Sequence, residues 1–330
     1  MASIEVNPPT GLMSEKVDIQ ITGLEKQQLV TLTATVQYSR NAQFQSHAHY
    51  IADSSGSVVC SRQEAVGGTF SGVEQMGLLW SVQPLPGQQV KRMIPKDVTK
   101  PLDVQLYVYD GHINTSSQQD RGTETRACCV VERRFMKDGA RRIVVRQGRV
   151  RGVLFLPEGE GPFPGVVDMY GSGANFEHRS ALLCSQGFAA FRLMYCNFDD
   201  LPKAETHLDS EYFTDAVEWF SSHPLVQPGG VGLIGTSTGG ALALIMGTLT
   251  NKAIARMEAH GKTNYQLLTY PGAGHLLEPP YMPHCKIAYH PILDTTIDYG
   301  GETRAHCAAQ EDLWPRMITF LRKCRPNSQL

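Results

Sequence analysis

Ser237 is the residue of this chain best suited to covalent chemistry, because it lies at the centre of the pentapeptide Gly235-Thr-Ser-Thr-Gly239. An apolar run at 231–234 precedes the pentapeptide, and a small-residue, helix-forming run at 241–249 follows it. This context predicts a nucleophile elbow, a sharp turn between a strand and a helix that exposes the serine hydroxyl. Glycine suits both ends of such a turn, since a Cβ there would crowd the neighbouring backbone. We therefore predict that Ser237 is a nucleophile.

A serine hydroxyl reacts slowly at neutral pH unless a base within hydrogen-bond reach accepts its proton. In the chain order serine, acid, histidine, the base follows the nucleophile on a loop near the C-terminus. Residues 267–275 predict a short strand and a glycine-rich loop that ends at His275. We predict that His275 is the base.

Two backbone N–H groups are candidates for an oxyanion hole that would stabilise a tetrahedral intermediate. One belongs to Gly171, which begins the loop directly after a predicted buried strand at 165–169. The other belongs to Thr238, the residue after the nucleophile.

The third member of a serine triad, a carboxylate, has no obvious candidate. Between Ser237 and His275 there is no aspartate, and the only glutamate, Glu258, lies in the middle of a predicted helix. A complete hydrolase sheet would place about two further strand–helix units of about 30 residues each in this interval. The spacing therefore predicts that those strands are absent.

Residues 1–139 show the alternation of apolar and polar residues that is typical of half-buried strands. Examples are 17–22, 29–36 and 104–109, with turn-forming residues such as Asp110 and Gly111 between the runs. The pattern predicts a small antiparallel β-sandwich. His47 and His49 lie two residues apart, but no third ligand lies nearby in the sequence, so we expect no metal site.

In residues 140–330 predicted strands and helices alternate, which indicates a largely parallel sheet covered by helices. We predict a hairpin of 142–146 and 150–156, and strands at 165–169, 188–194 and 231–235. Helices are predicted at 180–184, 212–220 and 241–249, the second capped by Asp209 or Ser210. The elbow thus joins the last of these strands to the last of these helices.

Composition argues against several classes of function. The 330 residues are 42% hydrophobic and 19% charged, which fits a soluble globular protein of about two domains. A net charge of −2 provides no field for nucleic acid, and no apolar run is long enough to span a membrane. Eight cysteines without metal-binding spacing, and no secretory signal, predict free thiols in an intracellular protein.

The last three residues, Ser328, Gln329 and Leu330, differ at one position from the Ser-Lys-Leu peroxisomal signal. They predict binding to a peroxisomal import receptor and a peroxisomal location, with the cytoplasm as the alternative.

Several longer motifs resemble the family of type I acyl-CoA thioesterases and bile acid-CoA:amino acid N-acyltransferases, over nearly the whole chain. They are Gly67-Gly-Thr-Phe, Met76-Gly-Leu-Leu-Trp80, Phe155-Leu-Pro, Phe163-Pro-Gly-Val-Val, Tyr270-Pro-Gly-Ala-Gly-His-Leu-Leu-Glu-Pro-Pro-Tyr281, Tyr299-Gly-Gly-Glu302 and Ala308-Ala-Gln-Glu311. The resemblance implies an immunoglobulin-like sandwich followed by an α/β-hydrolase domain. It also implies an acyl-CoA substrate, no cofactor, and Ser237 and His275 as nucleophile and base.

This chain departs from the family between Lys252 and Ala253, where the strands that deliver the family's triad aspartate have no counterpart. No residue takes the acid role by matching, and we assign that role to none of Glu258, Asp294 and Asp298. An imidazole without an orienting carboxylate loses several powers of ten in turnover.

Three functions follow from the resemblance. The leading one is hydrolysis of fatty acyl-CoA through Ser237. Transfer of the acyl group to glycine or taurine is the first alternative, favoured by the Ser-Gln-Leu ending but opposed by Ser237, because the transferring members use a cysteine. The second alternative is a catalytically impaired, shortened isoform that lacks the triad aspartate.

Overall fold

The computed structural model of this chain describes residues 1–39, 42–88, 92–113, 124–171, 174–203, 208–250, 266, 268–290 and 294–323.

The N-terminal region is almost entirely β-structure. Its strands are β1 (Ser3–Asn7), β2 (Thr10–Leu12), β3 (Asp18–Thr22), β4 (Leu29–Ser39), β5 (Ala42–Ile51), β6 (Val58–Val59), β7 (Gly67–Gly68), β8 (Gln83–Pro84), β9 (Leu102–Asp110) and β10 (Thr125–Arg134), and its helix is α1 (Gly77–Trp80). One sheet has the order β1-β3-β6, and the other has the order β2-β10-β9-β4-β5-β7, with β8 also paired to β5. Except for the parallel pair of β2 and β10, the pairs are antiparallel.

Alternating burial explains why these segments form two packed sheets. In β5 the side chains of Phe44, Ala48 and Tyr50 are buried while their neighbours are partly exposed. They share one core with Ile19 and Ile21 of the other sheet. The strands predicted at 17–22, 29–36 and 104–109 are confirmed as β3, β4 and β9.

The C-terminal region combines strands with helices. Its elements are β11 (Arg141–Gln147), β12 (Val150–Leu156), β13 (Gly165–Met169), α2 (His178–Ser185), β14 (Ala189–Met194), α3 (Ser210–Ser221), β15 (Gly232–Gly235), α4 (Thr238–Thr250), β16 (Ile287–His290), β17 (Thr295–Asp298) and α5 (Thr303–Lys323). The main sheet has the order β11-β12-β14-β13-β15, and β16 and β17 form a separate hairpin. β12 is antiparallel to both β11 and β14, whereas β13 runs parallel to both β14 and β15. The prediction of a largely parallel sheet therefore holds for only half of the described strand pairs of the main sheet.

The sequence located these elements well. Every residue of β13 is buried, as expected for a central strand that is covered on both faces. Of the two candidate caps of α3, the structure selects Asp209, whose carboxylate accepts the Glu211 N–H at 2.9 Å.

The prediction of a short strand before His275 is wrong for the described residues 268–270, because they form no strand. A strand needs a hydrogen-bonding neighbour. Among the described strands, β15 is an edge strand that pairs with β13 alone, and none lies on its other side. Instead, α5 packs near β15, since a Cβ on Gly232 would lie 2.7 Å from Leu321 Cδ2.

Candidate active site

The turn between β15 and α4 has the geometry expected of a nucleophile elbow. Ser237 has a φ of 56°, in the left-handed region that side chains rarely adopt, and its side chain is exposed. A Cβ on Gly235 would lie 2.0 Å from the Gly239 carbonyl oxygen. A Cβ on Gly239 would lie 2.5 Å from the Met169 carbonyl oxygen. Only glycine fits these two positions without a shift of the backbone, so the pentapeptide folds into the tight turn that its sequence predicts.

Gly171 lies directly against this turn. A Cβ on Gly171 would lie 2.8 Å from Ser237 Cβ and 2.9 Å from the Thr238 nitrogen. Thr238 is the first residue of α4, so its N–H is one of the donors that a helix leaves without an intrahelical acceptor. The structure therefore brings both predicted oxyanion-hole residues beside the nucleophile.

His275 reaches the same place from a loop that follows α4 in the chain. Ser237 and His275 both line a cleft of about 280 Å³. The His275 backbone N–H donates to the Tyr299 carbonyl at 2.8 Å, and its ring stacks on the Tyr299 ring with the planes 8° apart. In the described structure no hydrogen bond joins the His275 ring to Ser237, and both side chains are open to the cleft.

No carboxylate orients the His275 ring within the described part of the chain. Asp294 accepts the Tyr289 hydroxyl at 2.6 Å, and Asp298 accepts the Gly300 N–H at 2.8 Å. Glu258 lies outside the described residues.

A buried carboxylate, Glu278, anchors the loop that carries His275. It pairs with Arg92 of the N-terminal region and lies 2.7 Å from Nε2 of His178, and the Tyr170 hydroxyl donates to it at 3.0 Å. Burial opposes ionisation of Glu278, but the charges of Arg92 and then His178 outweigh it and lower the pKa of Glu278 well below its usual range. Glu278 thus connects the His275 loop to Tyr170, which precedes Gly171, and to Arg92 of the N-terminal region.

A second buried group supports the elbow. The Arg179 guanidinium donates to Asp168 through Nε at 2.9 Å and to the Thr236 hydroxyl through Nη1 at 2.5 Å. Asp168 also accepts the Ser180 hydroxyl at 2.7 Å. Because Thr236 immediately precedes Ser237, Arg179 links the elbow to α2 and β13.

His306 on α5 supports the other side of the His275 loop. Its Nδ1 accepts the Gly274 N–H at 3.0 Å, which requires that nitrogen to be unprotonated. Burial, and then the charge of the stacked His284 ring, lower the pKa of His306 to about 4. The ring is therefore neutral at physiological pH.

Sequence reasoning missed these supporting residues. Glu278 lies within the motif at 270–281, so a polar residue among apolar ones three positions after His275 was a usable signal. Arg92, Arg179 and His306 carry no local signal, because only tertiary packing brings them to the site.

Fold and site together define a class: an all-β N-terminal region followed by a hydrolase-like domain with a serine at a strand–helix turn. The sequence model described as "Acyl-CoA thioester hydrolase/BAAT N-terminal region" matches residues 14–147. The model described as "BAAT / Acyl-CoA thioester hydrolase C terminal" matches residues 208–253 and 248–325. This chain belongs to the acyl-CoA thioester hydrolase/BAAT family.

Similar proteins match over nearly their whole lengths. The chain is 36% identical to human "Acyl-coenzyme A thioesterase 1", with 98% of this chain and 97% of the relative covered. It is 34% identical to mouse "Acyl-coenzyme A thioesterase 2, mitochondrial", with 98% of this chain and 89% of the relative covered. It is 33% identical to mouse "Peroxisomal succinyl-coenzyme A thioesterase", with 96% of this chain and 95% of the relative covered.

The match to the human relative extends over 418 aligned positions, which exceeds the 330 residues of this chain by 88. The two matched pieces of the C-terminal family model meet at residues 248–253.

Proposed function

We propose that this chain hydrolyses acyl-CoA thioesters to the free acid and CoA, with Ser237 as nucleophile and His275 as general base. The observation that carries the proposal is the left-handed backbone of Ser237 in a glycine-bounded turn, in a chain whose relatives are named acyl-coenzyme A thioesterases.

The chemistry proceeds in two halves. Ser237 Oγ attacks the thioester carbonyl carbon while the His275 ring accepts the hydroxyl proton. The N–H groups of Thr238 and Gly171 stabilise the negative charge on the carbonyl oxygen. The C–S bond then breaks, and the CoA sulfur leaves with the proton from His275. A water molecule, deprotonated by His275, attacks the ester, and Ser237 recovers its proton as the acid leaves.

The fold assignment that supports this mechanism is an immunoglobulin-like sandwich at 1–139 and an α/β-hydrolase domain at 140–330 that lacks a segment near residues 252 and 253. Three observations support a missing segment: the 88 excess aligned positions, the divided family match and the position of β15 at the edge of the described sheet. The junction itself lies outside the described residues.

No carboxylate orients the His275 ring among the described residues, and without one turnover falls by about four powers of ten relative to a complete triad. The chain is therefore a slow thioesterase. The competing function is acyl-CoA binding without turnover, which is favoured because no described carboxylate orients the His275 ring.

The test is release of CoA thiol from acyl-CoA by the purified chain, with and without taurine, against Ser237→Ala as the blank. Release above the blank supports hydrolysis, and a taurine conjugate would indicate acyl transfer instead. Soluble protein with no release above the blank would overturn the proposal and leave binding as the function.

Peroxisomal import through Ser328, Gln329 and Leu330 stays a prediction, because these residues lie outside the described structure. The relatives' names include both mitochondrial and peroxisomal proteins.

A further inference from the structure

The segment that follows β17 fixes the backbone of the loop that carries His275. The His275 N–H donates to the Tyr299 carbonyl at 2.8 Å. Next to this bond the two backbones are in contact, since a Cβ on Gly274 would lie 2.4 Å from the Gly300 carbonyl oxygen. A Cβ on Gly301 would likewise lie 2.5 Å from the Gly274 nitrogen. The backbone of the general base is therefore held from the side of this segment.

A fixed backbone does not fix the imidazole, because two side-chain torsions still turn the ring. In a complete triad a carboxylate sets the orientation of the ring. In this chain the Tyr299 ring lies parallel to the His275 ring, with the planes 8° apart and the centroids 6.3 Å apart. This separation is within the range of offset-stacked aromatic pairs. Rotation of the His275 ring out of its plane would break the stack.

We propose that Tyr299 is a positioning residue for His275, whose imidazole it holds in one plane by ring stacking. Tyr299 thereby supplies part of the orientation that a triad carboxylate would give. A stacked ring fixes the plane of an imidazole but not which nitrogen carries the proton, so the compensation is partial. The inference rests on the proposed function and adds to it a residue that sets the rate of the chemical step.

Tyr299 contacts the base but does not line the cleft beside the nucleophile. His275 lines two cavities, the cleft that it shares with Ser237 and a smaller cavity that it shares with Tyr299. Tyr299 is not among the described residues of the first lining, and Ser237 is not among those of the second. A change at Tyr299 should therefore alter the orientation of His275 and leave the binding of the thioester unchanged.

The hairpin of β16 and β17 holds Tyr299 in place. The Tyr299 N–H donates to the Lys286 carbonyl at 2.6 Å, which continues the pairing of the two strands. Directly beside Tyr299, the Asp298 carboxylate accepts the Gly300 N–H at 2.8 Å. Tyr299 is thus fixed by contacts that do not involve the His275 side chain, as a residue that orients another must be.

The first experiment measures kcat and KM for CoA release in Tyr299→Phe, Tyr299→Leu and the parent chain. Tyr299→Phe keeps the ring and should match the parent chain in both constants. Tyr299→Leu removes the ring and should lower kcat about tenfold at an unchanged KM, because a misplaced catalytic group slows the chemical step. The matched control is Tyr289→Leu, which changes a tyrosine of the same hairpin that lines neither cavity and should leave both constants unchanged.

Three results would overturn the inference. The first is an equal kcat in Tyr299→Leu and the parent chain, and the second is a raised KM at an unchanged kcat, which would make Tyr299 a substrate contact. The third is a loss in Tyr299→Phe as large as that in Tyr299→Leu, because the effect would then belong to the hydroxyl. If Tyr299→Leu does not fold, Tyr299→Met, which also lacks a ring, takes its place.

Covalent labelling of Ser237 tests the same inference without turnover. A fluorophosphonate reacts once with an activated serine: the serine oxygen bonds to phosphorus, fluoride leaves and the base accepts the hydroxyl proton. Mass spectrometry gives the labelling rate, with Ser237→Ala as the blank. Labelling that is about tenfold slower in Tyr299→Leu than in the parent supports the inference even if no CoA is released, a result that would refute only the thioesterase function. Equal labelling rates, or no labelling of the parent chain, would overturn it.

Discussion

The ion pair between Arg92 and Glu278 predicts that the N-terminal region stabilises the catalytic loop. The two side chains are only 16% and 7% exposed. Removing one partner of a buried pair costs about 3–5 kcal/mol, because the remaining charge is left unpaired. Since Arg92 keeps some contact with solvent, we expect Glu278→Gln to cost about 3 kcal/mol, or about 4 °C in Tm for a chain of 330 residues.

The assay is a double-mutant cycle of Glu278→Gln with Arg92→Met, followed by denaturant unfolding near neutral pH. The pair contributes fully there, because the depressed pKa of Glu278 keeps its carboxylate ionised and the contribution is lost only as pH falls through that lowered pKa. The double variant should be less destabilised than the sum of the single variants by at least about 1.5 kcal/mol.

The matched control is another ion pair between the two regions, Arg304 with Glu74 at 2.8 Å. Arg304 is 68% exposed, so Arg304→Met should cost less than about 1 kcal/mol. The losses of unfolding free energy in Arg92→Met and Glu278→Gln could instead add to that of the double variant within about 0.5 kcal/mol. Such additivity would refute the reasoning that the pair acts as a buried unit.

Three further predictions concern the elbow and its support. Ser237→Gly and Ser237→Ala both remove the hydroxyl, but only glycine adopts the left-handed backbone without strain. Ser237→Gly should therefore be more stable than Ser237→Ala by about 1 kcal/mol in denaturant unfolding. Equal stabilities of the two variants would contradict backbone strain at the nucleophile. Gly171→Ala should lower CoA release about a hundredfold, since its Cβ would displace the elbow. Its control is Gly67→Ala, whose Cβ meets only His49 at 3.5 Å, and equal activities of the two variants would show that the close packing of Gly171 against the elbow does not affect turnover. Because the pKa of His306 falls to about 4 in the fold but is about 6.5 in the unfolded chain, stability should decline by up to about 3 kcal/mol as pH falls from about 6.5 to 4. His306→Gln should flatten that pH dependence, and an unchanged slope in unfolding titrations would show that His306 does not titrate this way.

The shortened C-terminal region explains why some parts of the site were predictable and others were not. Ser237, Gly171 and Thr238 follow strands whose apolar runs are local signals, so the chain order was enough to bring them together. The strand expected before His275 depended on a neighbour that the described sheet lacks, and a pattern of residues cannot reveal whether its hydrogen-bonding partner is present.

By itself, the sequence determined the elements and the nucleophilic turn, because both follow from short-range rules: apolar periodicity, caps such as Asp209 and glycines where a Cβ would clash. Only the tertiary structure decided what surrounds the nucleophile. Arg92 lies 186 residues before Glu278 in the chain but forms a buried ion pair with it. Likewise, α5 contributes Leu313, Trp314 and Met317 to the lining of the cleft. Such contacts depend on how the two regions and the last helix pack together, and no local pattern encodes them.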